Sequence, residues 1–196
     1  MAILTKSNTP EDDKSFWGTS WEAFCDAEVL YGREFQIDVA TEPATTKCAR
    51  WIGSPMFYDQ ILDYRTKDDA KRALFMSPGI CVGLDSLNLP WENDWWCNPP
   101  FDLKLEYVAA ARKAQRSGLN GMMLLPYEPL TIWWRDILEH DCIVYEPDGR
   151  YQFYERDGVT QKNGSNFGSV LVGFPSYHLR DSIRIPYRRG IYPPRQ

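Results

Sequence analysis

The tetrapeptide Asn98-Pro99-Pro100-Phe101 is the part of the sequence whose residue types could carry out chemistry. A residue before proline is kept out of the helical region, and proline has no N–H to donate, so this backbone is extended and rigid. It can present the Asn98 side-chain oxygen beside a backbone carbonyl oxygen, and two fixed acceptors match the two N–H bonds of a planar amino group. Holding those hydrogens favours a pyramidal nitrogen, which can attack a methyl donor. Phe101 offers a ring face on which a flat substrate can stack.

The hydrophobic pattern predicts the elements that must position this tetrapeptide. Thr19 as N-cap and Glu22 three residues later form a capping box, and the helix that they begin should end near Tyr31, before Gly32. Further helices are predicted over residues 66–76, 103–117 and 131–140. Strands are predicted over residues 35–39, 80–84, 94–97, 122–125, 142–145, 151–154 and 169–174.

Strands and helices alternate from residue 35 to residue 145, and two strands then follow in succession. This order predicts an α/β fold with a mainly parallel sheet, helices on both faces and an antiparallel hairpin at one edge. Each of four residues falls at or just after the end of a predicted strand: Asp38, Asp85, Asn98 and Pro126. We expect them to share the sheet edge at which such folds bind ligands. The tetrapeptide could also be a plain turn between a strand and a helix, but its position at a strand end favours a functional role.

Length and composition fit one globular domain. The chain has 196 residues, of which 43% are hydrophobic and 25% are charged. We divide it into a polar arm (1–15), a single domain (16–178) and a basic tail (179–196). No apolar run suits a membrane span or a signal peptide, which predicts a cytoplasmic protein without a membrane partner. The five cysteines are scattered and lack metal-ligand spacing, so we expect no metal.

The charge of the chain is unevenly distributed. The formal net charge is −5, which does not indicate nucleic-acid binding. After His178, however, a single acid, Asp181, accompanies five arginines: Arg180, Arg184, Arg188, Arg189 and Arg195. This tail could contact phosphate groups, with Arg184, Arg188 and Arg189 as candidates, or it could serve only to keep the protein soluble.

Other short motifs surround the tetrapeptide in a specific order. They are Trp17-Gly18-Thr19-Ser20, Ile37-Asp38-Val39-Ala40-Thr41, Lys47-Cys48-Ala49, Asp85-Ser86-Leu87 with Trp91, Leu124-Leu125-Pro126, Thr131 and Trp133-Trp134. Asn-Pro-Pro-aromatic is the catalytic motif of amino-group methyltransferases. From residue 16 to about 174 the chain resembles the phage-type Dam-like DNA N6-adenine methyltransferases.

The resemblance implies a Rossmann-like class I methyltransferase sheet, S-adenosylmethionine as methyl donor and DNA as partner, in the host cytoplasm if the protein is viral. By resemblance, the catalytic residues are Asn98, Pro99, Pro100 and Phe101. Asp38 and Ala40 would line the methionine and ribose side of the cofactor, and Asp85 and Leu87 would receive its adenine. Trp17 and Thr19 would close over the methionine end. Tyr127, just beyond a predicted strand, is a candidate second wall for the target base.

The chain departs from the family pattern at a few positions. Ser20 stands for an expected proline, Thr41 for an alanine and Phe101 for the commoner tyrosine, and residues 53–81 form a longer stretch than is usual. Two other interpretations remain open. The amine could belong to cytosine N4, an RNA adenine or a protein glutamine, or the chain could be a non-catalytic nucleic-acid-binding protein that stacks bases on its many aromatic residues.

Overall fold

The computed structural model describes residues 16–63, 65–138, 140–162 and 167–190. In chain order its elements are β1 (Gly18–Thr19), α1 (Trp21–Tyr31), β2 (Ile37–Thr41), β3 (Arg50–Gly53), α2 (Pro55–Leu62), α3 (Lys67–Phe75), β4 (Ile80–Leu84), β5 (Trp95–Cys97), α4 (Lys104–Arg116), β6 (Gly121–Pro126), α5 (Ile132–Leu138), β7 (Ile143–Pro147), β8 (Phe153–Tyr154), β9 (Gln161–Lys162), β10 (Ser169–Phe174) and β11 (Ile183–Tyr187). A 3-10 turn, Phe101–Leu103, leads into α4. Among these helices, none has the length and apolarity needed to cross a membrane.

The main sheet has eight strands in the order β11-β7-β10-β6-β5-β2-β3-β4. Seven strands run in one direction, and β10 is antiparallel to both of its neighbours. The α/β class and the mainly parallel sheet are therefore confirmed. A second, small sheet consists of β1, β8 and β9, all antiparallel.

The prediction of an antiparallel hairpin at the sheet edge is wrong. β10 is inserted between β6 and β7, and all six of its residues pair with β6. Ser169–Phe174 is buried along its whole length, as expected of a strand with elements on both faces rather than of an edge strand. The other strand of the expected hairpin, around Phe153, belongs to the small sheet.

One edge of the main sheet is β11, parallel to β7. It lies within the segment 179–196 that the sequence suggested as a basic tail, so residues 183–187 of that segment are part of the sheet. The predicted arm, residues 1–15, and residues 191–196 lie outside the described residues.

The central strand β5 shows how the two halves of the core meet. Trp95 and Cys97 belong to the cluster that contains Tyr107 and Ala111 of α4, whereas Trp96 faces the cluster formed with α1. A side chain at Gly121 of β6 would lie 2.0 Å from the Trp95 ring, so only glycine fits there. This close fit fixes β5 against β6 and thereby positions the residue that follows β5.

The beginning of α1 differs from the prediction by one residue. Ser20, not Thr19, is the N-cap, and its hydroxyl accepts a hydrogen bond from the backbone N–H of Ala23 at 3.2 Å. Thr19 cannot take this position because it is paired with Phe153 in the small sheet. The helix ends as predicted at Gly32, which adopts the left-handed conformation.

Candidate functional site

The tetrapeptide Asn98-Pro99-Pro100-Phe101 follows β5 directly, at the edge where the parallel strands end. Asn98 donates from Nδ2 to the backbone carbonyl of Trp17 at 3.0 Å. This bond orients the amide, because Oδ1 must then face away from that carbonyl. Within the described part of the chain, no group donates to Oδ1 of Asn98 or to the carbonyl of Pro99. Both acceptors are therefore available to a substrate.

Aromatic side chains surround the cleft in front of the tetrapeptide. Phe101, Trp17, Phe153 and Phe167 line it together with Asn98. The Phe167 ring is stacked on Trp17, with 6.0 Å between centroids, and lies 5.9 Å from the Phe101 ring. These rings pack against one another and leave a free volume of only about 30 Å³, so a flat ring can enter only when they move apart.

Lys104, in the first turn of α4, brings a positive charge to the same cleft. Its Nζ lies 4.3 Å from the centroid of the Phe101 ring and 5.4 Å from that of Trp133. Glu128 lies 3.9 Å from this ammonium and also accepts a hydrogen bond from the Trp133 indole at 2.8 Å. The charge of Lys104 is therefore partly balanced, and its ammonium lies over the face of Phe101.

Asp38 is the second residue of β2 and pairs with Trp96 of β5, so the prediction that it lies at the end of its strand is wrong, because β2 continues to Thr41. Its carboxylate accepts hydrogen bonds from the backbone N–H groups of Ala40 and Lys47, each at 3.3 Å. Burial raises the pKa of Asp38 to about 6, although these two N–H groups and the Lys47 ammonium act in the opposite direction. Ala40 is buried next to it, and Thr19 is buried in β1.

Asp85 follows β4 and has a left-handed backbone conformation, with φ of 62°. One of its carboxylate oxygens, Oδ2, accepts from the side chain of Asn88 at 2.7 Å. The other, Oδ1, is buried and has no hydrogen-bond partner among the described residues. Leu87, two positions on, packs against the core cluster. A buried acceptor without a donor is a place where a ligand N–H could bind.

Tyr107 of α4 lies near both acids and near the residue that precedes the tetrapeptide. Its hydroxyl and that of Ser86 are 2.7 Å apart. Burial raises the pKa of Tyr107, and Cys97, Asp38 and Asp85 all add to the increase through their charge. The phenol is therefore within electrostatic range of Asp38, of Asp85 and of Cys97, the residue before Asn98.

Tyr127 lies just beyond β6 but turns away from the tetrapeptide. Its ring packs edge-on against Trp134, and its hydroxyl donates to Glu146 at 3.1 Å and accepts from Arg184 at 3.1 Å. Arg184 forms an ion pair with Glu146 at 2.5 Å. Tyr127 thus lines a groove next to the cleft, and the ring that faces Phe101 is that of Phe167.

The other two candidate arginines lie near that groove. Arg188 lines it and is exposed, and Ser169 lines both the groove and the cleft. Arg189 forms an ion pair with Asp148 at 3.3 Å, and its guanidinium lies 5.5 Å from the centre of the Tyr151 ring.

Sequence reasoning did not identify Phe167 or Tyr107. Phe167 reaches the tetrapeptide only because Ser169 pairs with Pro126 in antiparallel register, a long-range pairing that has no local signal. Tyr107 belongs to the apolar face of a predicted helix, where the sequence alone suggests a core residue.

Comparisons with known proteins identify the family to which the chain belongs. The family model described as DNA N-6-adenine-methyltransferase (Dam) matches residues 6–187. A protein of Haemophilus phage HP1 (strain HP1c1), named DNA N-6-adenine-methyltransferase, is 25% identical over 191 residues, which cover 94% of this chain and 92% of the phage protein. The family match spans nearly the whole domain and includes every predicted site residue except Arg188 and Arg189, and the chain therefore belongs to the DNA N-6-adenine-methyltransferase (Dam) family.

Proposed function

We propose that the protein transfers a methyl group directly from S-adenosylmethionine to N6 of an adenine in DNA, with Asn98-Pro99-Pro100-Phe101 at the reaction centre. The observation that carries this proposal is the fixed orientation of Asn98. Its Nδ2 is held by the carbonyl of Trp17, so its Oδ1 remains an acceptor at the cleft, beside the carbonyl of Pro99. The order of the sheet, with one reversed strand between β6 and β7, supports a Rossmann-like class I methyltransferase.

The residues near Asp38 and Asp85 fit S-adenosylmethionine. Oδ1 of Asp85 is a buried acceptor without a donor and suits the amino group of the cofactor's adenine. Asp38, in the neighbouring strand β2, suits the ribose hydroxyls, and Ala40 and Leu87 provide apolar contacts. When bound, S-adenosylmethionine supplies the electrophilic methyl group.

The chain's own residues then position the target amine. The adenine leaves the duplex, because its N6 cannot be reached within the base stack. Phe101 stacks on one face of the base, and the Phe167 ring, which now contacts Phe101, moves aside and becomes our candidate for the second wall in place of Tyr127. Asn98 Oδ1 and the carbonyl of Pro99 accept the two N6 hydrogens, which localises the nitrogen lone pair for attack. Proximity and orientation account for most of the rate enhancement, since no covalent enzyme intermediate is required.

Transfer of labelled methyl groups tests this proposal. The protein is incubated with labelled S-adenosylmethionine and unmethylated DNA, and the digested nucleosides are analysed by mass. We expect label on N6-methyladenine, and a loss of roughly 100- to 1000-fold in rate for Asn98→Ala, the usual effect of removing one transition-state hydrogen bond. Asn120→Ala is the matched control. Asn120 lies at the opposite end of β6, where it accepts from the N–H of Ser176, and its loss should not affect transfer.

The other outcomes separate the alternatives. Label on cytosine N4, RNA or protein glutamine would support the proposed methyl transfer but would show that the substrate is not adenine in DNA. Undiminished transfer by Asn98→Ala would contradict the role of the tetrapeptide. A wild-type protein that neither binds the cofactor nor transfers a methyl group would favour a non-catalytic nucleic-acid-binding protein.

A further inference from the structure

The loop between β2 and β3 carries a lysine with an unusual environment. The ammonium of Lys47 donates to the backbone carbonyl of Thr45 at 3.2 Å and lies 4.8 Å from the centre of the Trp21 ring and 5.8 Å from that of Tyr154. No carboxylate of the described residues lies within ion-pair distance of it. Burial lowers the pKa of Lys47, and the charge of Asp38 only partly compensates. This ammonium has lost much of its water without gaining an anion.

Two other lysines lie over aromatic rings of the site, and both have an acidic partner. Lys104 lies 3.9 Å from Glu128. Lys162, whose ammonium is 5.7 Å from the centre of the Trp17 ring, lies 3.5 Å from Glu155. Of the three lysines over these rings, Lys47 is the one without an ion pair among the described residues, so its ammonium can bind an anion from outside the chain.

The position of Lys47 suits one end of the methyl donor. The sulfur of S-adenosylmethionine has three substituents: the adenosyl group, the transferable methyl group and the amino-acid chain. In the proposed function the first extends toward Asp85 and the second toward Asn98. The amino-acid chain must then take a third direction, and the loop that carries Lys47 borders the same acid, since its backbone N–H donates to Asp38.

Strand β1 and this loop are in close contact. A side chain at Gly18 would lie 2.8 Å from Cγ2 of Thr45, so the β1 backbone lies directly against the loop. Thr45 is held in turn by Thr41, with 3.2 Å between the two hydroxyl oxygens. The carbonyl that binds the Lys47 ammonium is therefore fixed in position, which reduces the entropy lost when an anion binds there.

We infer that Lys47 binds the carboxylate at the amino-acid end of S-adenosylmethionine. The inference rests on the proposed function and extends it to a residue for which the family resemblance gave no role. The ammonium is largely desolvated before binding, so an ion pair with the carboxylate restores lost interactions and requires little further desolvation of the lysine.

Binding measurements with two ligands test this role. Isothermal titration calorimetry gives the Kd of the wild type and of Lys47→Met for S-adenosylmethionine and for decarboxylated S-adenosylmethionine, which lacks only the carboxylate. We expect the wild type to prefer the complete cofactor by about ten- to a hundredfold, the usual contribution of a hydrogen bond between charged groups. Lys47→Met should lose this preference by weakening the binding of S-adenosylmethionine alone.

Two matched variants complete the test. Lys47→Arg keeps the charge and should keep most of the preference, whereas Lys71→Met removes an exposed cation of α3, outside the proposed site, and should leave both constants unchanged. Equal binding of both ligands by the wild type would contradict the role of Lys47, and this measurement needs no variant to fold. An equal loss for both ligands in Lys47→Met, or loss of the preference in Lys71→Met, would also contradict it. A wild type that binds neither ligand would contradict the proposed function itself.

Discussion

The carboxylate of Asp38 is subject to opposing effects. Burial favours its protonated form, whereas the backbone N–H groups of Ala40 and Lys47 favour its charged form, and the result is a pKa of about 6. The neighbouring thiol of Cys97 has its pKa raised by the same burial and by the charge of Asp38. A carboxylate with this pKa changes its protonation state within the range in which the protein can be studied.

We predict that cofactor binding weakens as the pH falls through 6. Deprotonated Asp38 can accept hydrogen bonds from the cofactor with both carboxylate oxygens. Protonation turns one of these oxygens into a donor and therefore weakens cofactor binding. The Kd for S-adenosylmethionine should be roughly tenfold higher at pH 5 than at pH 8, because a group with a pKa near 6 is then mostly protonated. Calorimetric titrations at several pH values measure the effect.

Asp38→Asn serves as the control for this pH dependence. Asparagine has a similar shape and does not titrate, so its affinity for the cofactor should be lower and nearly independent of pH between 5 and 8. The same pH profile in the variant would show that another group is responsible.

At the scale of elements, the contact between β5 and β6 decides where Asn98 lies. A methyl group at Gly121 would lie 2.0 Å from the Trp95 ring, and Trp95 is completely buried. We predict that Gly121→Ala lowers the free energy of unfolding by at least about 1–3 kcal/mol, the usual cost of overpacking a core. Urea denaturation measures this change. Gly173→Ala in β10 is the matched control, since its nearest neighbour would be at 3.7 Å and stability should change little.

Arg156, in the loop between β8 and β9, links the small sheet to the rest of the molecule. It forms two hydrogen bonds with buried Glu42, at 2.6 and 3.0 Å, and also bonds to the side chain of Gln60 in α2. Its guanidinium lies 4.3 Å from the centre of the Phe16 ring. Burial raises the pKa of Glu42, and Arg156 opposes this increase.

Removal of Arg156 should destabilise the protein in a pH-dependent way. In Arg156→Met the Glu42 carboxylate remains buried without its partner, so the pKa of Glu42 should rise further. We expect the free energy of unfolding to fall by roughly 1–3 kcal/mol at pH 8, with a smaller loss at pH 5, where Glu42 can be protonated. Urea denaturation at both pH values tests this. The exposed pair of Arg65 and Asp63 provides a control, because Arg65→Met should have little effect at either pH.

Most elements of the main sheet could be predicted from the sequence, because their signals are local. β10 was predicted over residues 169–174 and has these bounds, and the helix ending at Gly32 was placed within one or two residues. β3 and α2 were not predicted, since a strand of four residues and a short helix are too brief for a clear period.

At the scale of the whole molecule, the sequence indicated residues at the strand ends but not the side chains that form the other side of the cleft. Asp85 and Asn98 follow the carboxyl ends of β4 and β5 and share one edge of the sheet, as predicted, whereas Asp38 lies near the start of β2. The place of β10 between β6 and β7 depends on pairings between residues that are 26 to 53 positions apart, and the position of Phe167 depends on that place. The sequence contains no local signal for such a pairing.

The formal net charge of the chain is −5, so its binding to DNA should depend on cations that are not already paired with acidic side chains. Arg184 and Arg189 are engaged with Glu146 and Asp148, so part of their charge is neutralised within the protein. Arg188 lies in the groove beside the cleft that Asn98 lines and has no ion pair among the described residues. We therefore expect Arg188 to contribute more to phosphate binding than the two arginines with acidic partners.

We predict that Arg188→Ala weakens DNA binding and lowers its dependence on salt. Loss of one phosphate contact should reduce the slope of log Kd against log salt concentration by about one. Fluorescence anisotropy with a labelled oligonucleotide over a range of KCl concentrations measures both quantities. Arg116→Ala is the matched control, because Arg116 is equally exposed but lies in the last turn of α4, outside the groove. If both variants reduced the slope equally, binding would follow total charge, and the groove beside the cleft would have no special role.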